Sequence, residues 1–142
     1  MPTVALIGPE LFPIPPIRGG ATELFIDRLA AHLTRYQPVV IGPADPDLPR
    51  RESRGQVDYW RVRLNPWERW LYRRYRHLLP LYDRRVAGFI RQANPDLLHV
   101  HNRPLLALHL KTWFPGLPVI LHMHNLYAIL GKRERPAPNT PI

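Results

Sequence analysis

Short apolar runs alternate with amphipathic segments along most of this chain, and that alternation restricts the fold more than any other feature. Residues 3–8 (Thr3-Val4-Ala5-Leu6-Ile7-Gly8) read as a short buried strand. A proline-rich loop from Pro9 to Pro16 then leads through Arg18, Gly19 and Gly20 into a helix over about 22–36. The spacing predicts Phe25, Leu29, Leu33 and Tyr36 on the buried face of that helix, with Thr22 as its N-cap. Residues 38–42 and 57–64 read as strands, and 67–79 and 81–93 as helices parted by Pro80, which lacks the N–H a helix interior needs. A strand over 97–101, a helix over about 104–114 and a strand over 119–124 follow. Apolar strands separated by helices predict an α/β fold with a doubly wound parallel sheet.

Sheets of this kind bind ligands at the carboxyl ends of their strands. Three polar clusters fall there: Arg18-Gly19-Gly20, His101-Asn102-Arg103 and His124-Asn125. A glycine turn opening a helix lets bare backbone N–H groups meet an anion, usually a phosphate. A Gly-Gly pair is equally a common way to turn a corner, so both readings stand at this point.

His99, His101, His122 and His124 form two H-x-H pairs, and residues two apart on a strand share a face. Imidazole is a good zinc ligand, but neither pair has an acidic or cysteine ligand near it, and no metal is expected. The strand assignment predicts His99 and His122 packed beneath a helix. It leaves His101 and His124 at strand ends, where an imidazole suits proton transfer or a hydroxyl contact. No Ser-His-Asp arrangement and no glycosidase-like acid pair stands out.

The 142 residues suffice for one domain with a real core. Cysteine is absent, which removes disulfides and thiolate chemistry and suits a reducing cytoplasm, and the first residues carry no secretory pattern. Residues 112–131 carry no formal charge, yet Pro115, Gly116, Pro118, His122, His124 and Asn125 argue for a strand with loops rather than a membrane span. The net charge is +9, and residues 50–91 hold 12 of the 20 basic residues against four acids. Nearly all are arginines, which suit forked phosphate contacts and also follow from base composition. The helix over 67–79 carries Trp67, Trp70, Leu71, Tyr75, Leu78 and Leu79 beside Arg69, Arg73 and Arg76. It is open to three readings: core packing with a solvated basic face, contact with an anionic membrane surface, or nucleic acid. No nucleic-acid motif supports the third, and no nucleic-acid partner is expected.

The stretch Pro15-Pro16-Ile17-Arg18-Gly19-Gly20-Ala21-Thr22-Glu23, with Leu29-Ala30-Ala31-His32-Leu33 beyond it, resembles the opening of family-4 glycosyltransferases of the GT-B fold. Pro95-Asp96-Leu97-Leu98-His99-Val100-His101-Asn102 resembles a later strand of that family, and Val119 to Asn125 the strand after it. The spore-coat-protein-A-like members are the nearest in pattern. The resemblance implies a Rossmann-like N-terminal half of a GT-B architecture over residues 1–130, expected to be incomplete, and residues 131–142, polar and proline-rich, are expected to form a disordered tail. It implies retaining transfer from a nucleotide-sugar, a substrate rather than a cofactor, to a glycan or lipid acceptor of the cell envelope, without a metal. Gly19 and Gly20 would approach the donor diphosphate, and His124 would act beside the transferred sugar. Arg18, His101, Asn102, Arg103 and Asn125 would line the acceptor side. The nucleotide-sugar domain that completes such an enzyme has no counterpart in these residues, so the expectation is a half that is inactive alone and needs a separate C-terminal donor domain. A cytoplasmic place follows, with peripheral contact to an anionic membrane possible through the basic helix. A non-enzymatic α/β phosphate-binding or interaction module is the alternative.

Overall fold

The computed structural model describes residues 1–75 and 80–125. The expected helix residues 76–79, with Arg76, Leu78 and Leu79, and the expected tail over 131–142 lie outside the described residues.

Strands β1 (Thr3–Ile7), β2 (Gln37–Pro43), β3 (Arg51–Arg54), β4 (Val57–Val62), β5 (Leu97–His101) and β6 (Val119–His122) form one sheet in the order β3-β4-β2-β1-β5-β6. All pairings are parallel except β3 with β4. Helices α1 (Ala21–His32), α2 (Pro66–Arg74), α3 (Leu81–Ala93) and α4 (Pro104–Trp113) complete the described elements. The sheet reverses its winding between β1 and β5, and such switch points open a crevice at the strand ends.

Alternation along the strands builds a core on each face. Ala5, Ile7, Val39, Ile41, Leu98 and Val100 pack with Tyr82, Val86 and Ile90 of α3 and Leu106 and Leu110 of α4. Val4, Leu6, Val40 and Tyr59 pack with Ile26 and Ala30 of α1 and with Ile14 of the proline-rich loop. The loop is anchored by the buried Arg61 of β4, which donates to the carbonyls of Ile14 at 3.0 Å and Pro49 at 2.7 Å and to Glu52 at 2.7 Å.

The readings of two helices are corrected, and one strand is added. The first helix starts one residue earlier, with Gly20 rather than Thr22 as N-cap, and ends at His32. Its buried stripe is Glu23, Ile26 and Ala30, while Phe25 stays 41% exposed and turns toward the histidines. In α2, Tyr72 faces the core, and Trp67 and Trp70 stack on each other at 5.3 Å on the outside. Core packing of that tryptophan stripe is therefore excluded. Finally, Arg51–Arg54 forms an antiparallel edge strand that carries no apolar residue for a pattern to reveal.

Candidate functional site

The crevice at the switch point collects the polar clusters. Gly19 and Gly20 have φ of 92° and 106°, backbone that other residues rarely adopt. Nothing would meet a side chain at Gly19, so only its conformation calls for glycine. At Gly20 a Cβ would also collide with the carboxylate of Glu23. That carboxylate is buried against the first turn of α1, and burial pushes its pKa up. A carboxyl of the protein thus already sits beside the N-terminus that the sequence offers to a phosphate.

On the other side of the crevice Asn102 ends β5 with φ of 59°. Its backbone N–H donates to the His122 carbonyl at 2.8 Å, and its side-chain oxygen accepts from the His124 N–H at 2.9 Å. Its amide nitrogen donates to Thr22 Oγ1 at 3.4 Å, on the first turn of α1. One side chain thereby links the glycine turn to the end of β6.

The four histidines form a single cluster. His101 Nδ1 lies 2.9 Å from His124 Nε2, and His122 Nδ1 lies 3.3 Å from His99 Nε2. The Phe25 ring covers three of them, with centroids 5.0 Å from His124, 5.1 Å from His122 and 6.0 Å from His101. The expected division fails at three positions: His101 is fully buried, and His99 and His122 are only half-buried. The reason is register. His101 sits opposite His122 on the adjacent strand, under Phe25 and ringed by the other three imidazoles. Burial, reinforced by His99, His124 and His122, pushes the His101 pKa down to about 3. Burial and the neighbouring imidazoles also lower His99, and burial and His122 lower His124, so these three rings are neutral at pH 7.

The remaining expected residues are distributed differently. Arg103 reaches Glu10 and, at 3.3 Å, Asp83, whose second oxygen lies 2.6 Å from His109 Nδ1. It is a half-buried link of a charge network. Arg18 pairs with Asp45 and Asp47 and so fastens the glycine loop to the segment after β2. Asn125 is exposed beside His124.

A cleft of about 710 Å³ at the carboxyl ends of β2 and β4 was not anticipated. Leu11, Leu48, Leu64 and Tyr72 give it apolar walls, and Arg50, Arg63, Arg69 and Arg73 line it with positive charge. Glu10 and Asp45 join it to the networks of Arg103 and Arg18. The sequence signal for this cleft was the basic excess over 50–91. That excess mixes cleft arginines with paired ones such as Arg61 and Arg85, and only tertiary contacts separate the two sets.

Residues 19–140 match the family described as Glycosyltransferase Family 4. In Bacillus subtilis (strain 168) the chain is 32% identical over 123 residues to YtcC, a protein named as a glycosyltransferase, and 30% identical over 123 residues to spore coat protein SA. These alignments take in 86% of this chain and 26% and 29% of the two relatives, so the chain spans a little over a quarter of their length. Sucrose-phosphate synthase from Thermosynechococcus elongatus superposes with a TM-score of 0.63 at 14% identity, over 96% of this chain and 37% of that one. At that identity the likeness shows the fold.

Proposed function

The chain belongs to glycosyltransferase family 4, and from that premise we propose that it forms the acceptor-side half of a retaining transferase that uses a nucleotide-sugar donor. The observation that carries this reading is the Thr22–Asn102–His124 linkage, which gathers the ends of β5 and β6 and the start of α1 at one crevice. Gly19 and Gly20 present backbone to the donor diphosphate at its mouth. His124, neutral at pH 7, hydrogen-bonds a hydroxyl of the transferred sugar. Arg18, His101, Asn102, Arg103 and Asn125 shape the acceptor side, with His101 acting as a buried support and Arg103 as a half-buried one.

The acceptor enters through the arginine-lined cleft and is anionic, a phosphate-bearing glycan or glycolipid of the cell envelope. Arg50, Arg63, Arg69 and Arg73 have no ion-pair partner among the described residues and converge on apolar walls. The charge for a departing diphosphate is supplied by a separate donor domain, because Arg18 beside the glycine turn is already neutralised by two carboxylates. On its own this half does not turn over a nucleotide-sugar, and it needs neither metal nor cofactor for transfer. Such an enzyme works in the cytoplasm.

Trp67 and Trp70, 65% and 52% exposed, support peripheral contact with an anionic membrane from which a lipid acceptor would be drawn. No helix among the described residues is long and apolar enough to cross a membrane. The test is binding of phosphoglycans and anionic glycolipids to the purified protein: saturable binding lost on Arg69→Gln with Arg73→Gln supports the reading, and binding indifferent to both refutes it.

A further inference from the structure

The two H-x-H pairs meet at one point. β5 and β6 run parallel with His101 opposite His122, so His99, His101 and His122 project from the same side of the sheet. One ring nitrogen from each of the three lies within 4.8 Å of the other two. His99 Nε2 and His122 Nδ1 are 3.3 Å apart. Imidazole nitrogens held 2.0–2.1 Å from a tetrahedral ion stand roughly 3.3 Å from each other, which is the same spacing.

His101 supplies an independent observation. It is fully buried; its Nδ1 faces His124, and its Nε2 has no hydrogen-bond partner among the described residues. Buried polar atoms are nearly always satisfied, and a ring nitrogen left over in a three-imidazole cluster is accounted for if an ion completes it.

We propose that His99, His101 and His122 bind one transition-metal dication of the zinc, cobalt or nickel class. Imidazoles without carboxylates suit these ions and not magnesium or calcium. With the ion on Nε2, the His101 proton stays on Nδ1 and is donated to His124 Nε2, the outer hydrogen bond that metal-bound imidazoles commonly make. The ion ties β6 to β5, and three protein ligands leave a fourth position open. This site does not depend on the transferase reading, since it requires only the β5–β6 register and the ring positions.

The test titrates the purified chain with Co²⁺, followed by visible absorption, and with Zn²⁺, followed by calorimetry. One ion per chain is expected. His99→Gln or His122→Gln should weaken binding at least tenfold, while His32→Gln, at the far end of α1, should leave it unchanged. Absence of stoichiometric binding, binding that survives both cluster variants, or loss of binding in His32→Gln overturns the proposal. Should a variant fail to fold, carbethoxylation of the parent decides: Zn²⁺ should shield His99 and His122 but not His32, and equal reactivity with and without the ion overturns the site.

Discussion

The side-chain oxygen of Asn102 accepts a hydrogen bond from the backbone N–H of His124 at 2.9 Å, across the gap between neighbouring strand ends. Asn102 can do this because its φ of 59° turns the chain sharply after β5, a conformation asparagine tolerates better than most residues. Asn102→Ala loses the contacts to His124 and Thr22 and keeps the strain, so it should destabilise the protein by about 1–2 kcal/mol. Asn102→Gly relieves the strain and should cost less. Denaturant melts of both variants decide the matter, and a larger loss for glycine than for alanine would show that the backbone turn is not the constraint.

The two strand-end histidines should separate by experiment. His101→Ala opens a cavity in a fully buried site and should cost about 2 kcal/mol or more in urea unfolding. His124→Ala, beyond the end of β6, should cost less than about 1 kcal/mol. Equal losses would mean that the register does not create the difference in burial.

Much of this arrangement was legible in the sequence, though unevenly. Helix α3 and strand β5 match their expected limits of 81–93 and 97–101, because Pro80 and Asn94-Pro95 punctuate a strong period. The glycine turn and the strand-end clusters were legible because chain order in a doubly wound sheet dictates where such ends lie. The burial of His101 was not, since it depends on which residue of β6 stands opposite. Strand β3 was hidden because Arg-Glu-Ser-Arg has no apolar alternation and is held by pairing with β4. The arginine-lined cleft was hidden for the same reason: local pattern does not tell a cleft arginine from Arg61, buried in an ion pair.

Glu23 predicts a pH effect with a definite sign. Burial raises its folded pKa above the ordinary 4.5, so the folded protein holds this proton more tightly than the unfolded chain. Its contribution is most favourable below pH 4.5 and declines as pH rises through the raised folded value. Glu23→Gln removes that dependence, so the variant's stability relative to the parent should increase from pH 4.5 toward pH 7. Urea unfolding across this range checks it, and a constant difference would show that the carboxyl titrates normally.

The outward faces of α2 should divide their work. Trp67→Ala with Trp70→Ala should reduce sedimentation with anionic vesicles at every salt concentration, because apolar burial is not screened. Arg69→Gln with Arg73→Gln should weaken binding of soluble phosphoglycans, and the parent's binding should fall as salt rises and shortens the screening length to about 8 Å at physiological strength. Vesicle binding that ignores the tryptophans would remove the membrane contact from the account.

The central claim, an acceptor-side half whose His124 serves transfer once a donor domain is supplied, is tested most directly by joining residues 1–125 to the remainder of YtcC and measuring release of nucleoside diphosphate from a panel of nucleotide-sugars. The account predicts no release by the 142-residue chain alone, release by the joined protein, and a loss of at least about 100-fold on His124→Ala with the fold intact. Release by the chain alone, or undiminished release by the joined protein carrying His124→Ala, would contradict it.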